Sequence, residues 1–96
     1  MSVKMIALAI LNAEQKEAAQ SYSAKAKDLI AQFGGRPEGR FGLVEPLVGD
    51  QPAQITLIVD FDDGSQIKDF IYSDEYQALI PERKKGFQSM NIFIAQ

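Results

Sequence analysis

The chain reads as an α+β domain of the ferredoxin-like, split βαβ kind: a βαββαβ order carrying a four-stranded antiparallel sheet. Three observations predict it. Two strongly apolar strand patterns stand at Val3–Leu11 and Gln54–Phe61. Each is followed by a helical stretch and then by another strand. The whole fits in 96 residues, enough for one core, so residues 1–96 are expected to form a single domain. In the split βαβ order the first and third strands lie at the sheet centre, and these are the two most apolar strands of this chain.

Val3–Leu11 sets the problem that the other elements answer. Side chains alternate across a strand, so Met5, Ala7, Ala9 and Leu11 share one face while Ile6, Leu8 and Ile10 share the other. Both faces are apolar. Two helices can cover one of them, and the other asks for a partner subunit.

Asn12 and Gln15 have capping-box spacing and open a helix running to about Phe33. Its apolar stripe is Ala19, Tyr22, Ala26, Leu29, Ile30 and Phe33, and Gly34-Gly35 ends it. Alternation then predicts a strand from about Arg40 to Val48, with Pro46 marking a sheet edge or a bulge, and a turn at Gly49-Asp50-Gln51-Pro52. In Gln54–Phe61 the residues Ile55, Leu57, Val59 and Phe61 form an unbroken apolar face; Thr56, Ile58 and Asp60 form a mixed one. Asp62 or Asp63 precedes a helix from about Ser65 to Tyr72, and Ser73 or Asp74 caps a short helix from Glu75 to about Ile80, before Pro81. The last strand is Phe87–Ala95, with Met90, Ile92 and Ile94 on one face and Ser89, Asn91 and Phe93 on the other.

Composition removes several function classes. Ten Lys and Arg against 13 Asp and Glu give a net charge of -3, which argues against a nucleic-acid surface. Cys and His are both absent, so there is no disulfide framework, no thiolate nucleophile and none of the usual zinc, copper or haem ligands. No metal and no cofactor are expected. Met1–Leu11 is too short to cross a bilayer and lacks the plan of a signal peptide, so a cytoplasmic protein without membrane association is expected.

The segment Ser73-Asp74-Glu75-Tyr76-Gln77-Ala78-Leu79, followed by Arg83, resembles the domain-of-unknown-function 1330 family, small proteins of the dimeric α+β barrel group. Gly34-Gly35-Arg36, Gly49-Asp50, Ile58 to Phe61 and the helical Tyr22 match the same pattern, so the resemblance covers nearly the whole chain. Phe61-Asp62-Asp63 departs from the family's Phe-Pro-Ser, and Pro37-Glu38-Gly39 replaces an apolar strand start. The resemblance implies a homodimer whose sheets pack face to face, and no established reaction. The group it belongs to includes cofactor-free monooxygenases and small-ligand binders.

Three functions follow as expectations. One is a small anionic or aromatic metabolite bound in a helix–sheet cleft, another a cofactor-independent monooxygenase- or isomerase-like enzyme, and the third a structural or regulatory dimer without a ligand site. The candidate polar residues are Tyr22, Arg36, Arg40, Asp60, Tyr76 and Arg83. An Arg clamps a carboxylate with its planar fork, a Tyr donates to an enolate or phenolate oxygen, and a desolvated Asp60 would serve as a base. Each has a plainer role too: Arg83 pairing with Asp74 or Glu75, the tyrosines as core, and Asp60 facing water. Gly34-Gly35 follows a helix instead of opening one and so is no phosphate loop.

Overall fold

The computed structural model describes residues 2–50 and 53–96. Its elements are β1 (Val3–Leu11), a 3₁₀ turn (Ala13–Gln15), α1 (Lys16–Gln32), β2 (Arg36–Gly42), β3 (Ile55–Phe61), α2 (Gly64–Tyr72), α3 (Asp74–Gln77), α4 (Ile80–Gly86) and β4 (Phe87–Ala95). Among the described residues the strands form one antiparallel sheet in the order β2-β3-β1-β4. The two most apolar strands are central, as the split βαβ order requires.

The register sorts side chains cleanly. Met5 opposes Val59 and Ile94, and Ala7 opposes Leu57 and Ile92, all on the face that carries the helices. Ile6 opposes Ile58 and Phe93 on the face that carries none. On the helix side Tyr76, Phe61, Phe70, Met5, Ile67 and Val59 are fully buried. Phe70 and Tyr76 meet tilted, 4.8 Å apart between ring centres, and Phe33 and Tyr22 meet them edge-on.

Local chemistry explains most of the boundaries. Asn12 accepts from Glu14 N, but Gln15 does not complete the box; it sits ahead of α1 with no side-chain cap. Gly34 has φ +91, the left-handed conformation that ends α1. Asp63 and Gln66 form a full capping box at α2, and the Ser73 hydroxyl caps α3 by accepting from Tyr76 N.

Two expectations are corrected. The second strand is Arg36–Gly42, not 40–48, because β2 lies at the sheet edge, where Pro37 has no N–H to offer and none is needed. A register shift between Pro37 and Gly39 absorbs Glu38 as a bulge. Residues 43–50 instead leave the sheet with Val44, Leu47 and Val48 exposed; of the predicted turn, Gly49 has φ +80 and residues 51–52 lie outside the described chain. The other correction is at Pro81, which starts a further helix instead of ending one: it occupies the first turn of α4, where a missing N–H is harmless. Gly86 closes α4 against α1, since a Cβ there would stand 2.5 Å from Ala19 N.

Candidate functional site

Helix α1 leans on α4, and a pair of side chains fixes the contact: Lys25 donates to Glu82 at 2.8 Å. Between α1 and the sheet lies an open-mouthed cleft of about 740 Å³. That is within the range of small-molecule sites, roughly 300–1,000 Å³. Alanines make the room. Ala7 and Ala9 line the floor on β1, and Ala19 and Ala26 line the roof on α1, where larger side chains would close the gap.

The lip is polar for a periodic reason. Lys16, Gln20, Ser23 and Lys27 recur at four, three and four residues, so they form a stripe beside the inward stripe of Ala19, Tyr22 and Ala26. Opposite them Arg40 projects from β2 on the same sheet face as Leu57, with which it is paired in register. Lys16, Lys27 and Arg40 are all exposed, and no carboxylate is among the residues lining the cleft.

Tyr22 forms part of the wall and is tied to a chain of hydrogen bonds. Arg83 Nη1 donates to the Tyr76 hydroxyl at 3.0 Å; the Tyr76 and Tyr22 hydroxyls are 2.7 Å apart; Tyr22 lies 3.5 Å from Met90 Sδ. Arginine only donates and a thioether only accepts, so the arrangement that uses every proton runs Arg83 to Tyr76 to Tyr22 to Met90. Burial pushes the Tyr22 phenol far above its usual range; the neighbouring Tyr76 adds to the rise and Arg83 opposes it. Tyr22 is therefore a neutral donor at ordinary pH. The Arg83 guanidinium also lies over the Tyr76 ring, 5.8 Å from its centre.

The six predicted site residues thus fall into three places. Tyr22 and Arg40 line the cleft, while Tyr76 and Arg83 stand behind Tyr22. Arg83 engages Tyr76, and no ion pair joins it to Asp74 or Glu75. Arg36 and Asp60 belong to the opposite face, paired in register and joined at 2.9 Å, with Asp62 also 2.9 Å from Arg36. Lys4 bonds Glu38 and lies 3.6 Å from Asp60. The Arg36 guanidinium holds the Asp60 carboxyl below the usual carboxylate range, with Lys4 adding to it. Sequence reasoning did not single out Lys16 and Lys27, whose stripe was visible but looks like any solvated helix face.

Among the described residues no group of three Asp or Glu is placed to hold a metal ion, and no helix is long and apolar enough to cross a membrane. The model of a domain of unknown function, DUF1330, matches residues 4–96. The chain belongs to the DUF1330 family. No curated protein matches it.

Solved structures extend the fold of this DUF1330 chain to distant relatives. A protein of unknown function from Rhodopseudomonas palustris has TM-score 0.80 at 14% identity, covering 97% of this chain and 79% of that one. A dimeric, ferredoxin-like protein of unknown function from Bacteroides fragilis has TM-score 0.70 at 20% identity, covering 99% and 95%. A candidate antibiotic biosynthesis monooxygenase from Nitrosomonas europaea has TM-score 0.66 at 12% identity, covering 100% and 97%. At these identities the likeness is one of fold.

Proposed function

We propose that this DUF1330 chain is a homodimeric binding protein that takes a small anionic or aromatic metabolite into the cleft beneath α1. The observation that carries this reading is the cleft itself: an open-mouthed, largely apolar cleft of about 740 Å³, floored and roofed by alanines and edged by Lys16, Lys27 and Arg40. A close-packed domain of this size has no structural need for such a space, which forfeits packing contacts along its walls. The homodimer reading rests on the uncovered sheet face, where Ile6, Leu8, Ile10 and Ile58 are half-buried and Phe41 and Phe93 are 53% and 52% exposed. The dimeric Bacteroides relative supports it.

The enzyme reading has the Nitrosomonas relative and the Tyr22 phenol in its favour. The binding reading is preferred because the expected base, Asp60, lies on the far side of the sheet and is ionised through Arg36. A thermal-shift screen of carboxylates, phenols and flavins tests the proposal. A ligand that binds only the native fold raises its melting temperature by mass action. Hits on the native chain that vanish in the cleft-filling double variant Ala7→Phe/Ala26→Leu support it. Hits that survive in that variant contradict it.

A further inference from the structure

Four of the ten cations of this chain have partners in the fold. Lys4, Lys25 and Arg36 are held in ion pairs, and Arg83 is held by Tyr76. Of the other six, none has a carboxylate partner among the described residues; Lys16, Lys27 and Arg40 edge the cleft, and Lys68, Lys84 and Lys85 lie outside it. On a chain of net charge -3, three unpaired cations around one apolar opening run against the overall balance. A cleft rimmed by one sign of charge with low-dielectric walls concentrates ligands of the opposite sign.

The interior has a different character. Ala7, Ala9, Leu57, Met90 and Ile92 make its floor aliphatic, and Phe70 and Phe87 also line it. Its strong polar donor is the Tyr22 hydroxyl, which in this structure meets a thioether, a weak acceptor.

We infer that the ligand is an amphipathic organic monoanion, in its simplest form a carboxylate on a saturated chain: the head group rests between Arg40 and the α1 lysines, and the chain lies over the alanine floor. The inference rests on the binding reading above and narrows it. An aliphatic body gains about 0.8 kcal/mol for each methylene removed from water, and the guanidinium fork of Arg40 offers a carboxylate two parallel bonds. A cationic head group lacks the second of these fits, and a neutral body of similar size gains from burial alone.

Competition against the neutral fluorophore 1-aminoanthracene tests this. Decanoate, decanol and decylammonium share a chain and differ in head charge. Decanoate is expected to displace the fluorophore at a concentration at least about tenfold below decanol, and decylammonium to be weaker still. In Lys27→Gln/Arg40→Gln the ratio of decanol to decanoate affinity is expected to fall to about one, while Lys85→Gln, on a lysine outside the cleft, keeps the native ratio. Decanol equal to decanoate on the native protein, or a native ratio kept by the double variant, overturns the inference and leaves the cleft as a binding site for something else. Fluorophore binding that is absent, or indifferent to Ala7→Phe/Ala26→Leu, overturns the cleft reading and this inference with it.

Discussion

The middle of β1 presents side chains of different size to the two faces of the sheet. Along β1, Ala7 and Ala9 point toward the helices, while Ile6, Leu8 and Ile10 point away from them. The small residues leave a cavity on the covered face. The large ones leave a contact surface on the uncovered face, continued by Ile58, Phe41 and Phe93. Elsewhere beneath the helices the sheet carries the bulky Met5, Val59 and Phe61, so the small pair is local to the cleft. On the proposed reading the covered face takes the ligand and the uncovered face the partner.

The largest expected effect comes from charging the uncovered face. Leu8→Asp buries an unpaired carboxylate in the proposed dimer contact but only a half-exposed one in a single chain. The dimer is expected to weaken at least about a hundredfold in sedimentation equilibrium, while the circular dichroism of the monomer stays native. A variant that remains a dimer at the native affinity would break the division between faces.

A smaller effect is expected behind the cleft wall. Tyr76→Phe removes the acceptor for Arg83 and the partner of Tyr22 without changing the packed volume much. Urea unfolding is expected to show a loss of about 1–2 kcal/mol at unchanged slope. An undiminished midpoint would mean that the relay contributes nothing to holding Tyr22.

The smallest effect belongs to the charged end of the uncovered face. The Asp60 carboxyl is lowered from its ordinary value of 3.8, chiefly by Arg36. A lowered folded value adds stability above the unfolded value and loses it as pH falls through the folded one. The native chain is therefore expected to lose stability on acidification below about pH 4, and Arg36→Ala to lose less over the same window. Equal acid slopes for the two proteins would show that this pair contributes nothing measurable, as exposed ion pairs often do.

Much of this architecture was legible because period and burial agree. β4 begins and ends where its alternation places it, and β1 needed only its run of apolar residues. β2 was not legible, since Arg36-Pro37-Glu38-Gly39 carries no apolar alternation and its strand character comes from pairing with β3. α4 was hidden by Pro81, which reads equally as a helix stop and as a first-turn residue. At the candidate site, Tyr22 and Tyr76 are 54 residues apart and meet only through the fold, so no local pattern announces their bond. The alanines facing each other across the cleft were present in the sequence, but small residues mark a cavity only once the helix-to-sheet spacing is known.

The most direct test sets the two faces against each other in one experiment. 1-Aminoanthracene is titrated into Leu8→Asp and into Ala7→Phe/Ala26→Leu, with the mass of each measured by light scattering in the same samples. The first is expected to become a monomer that still binds the fluorophore, and the second to stay a dimer that does not. A monomeric cleft-filled variant, or a Leu8→Asp chain that is folded but has lost fluorophore binding, would contradict the assignment of ligand and partner to opposite faces.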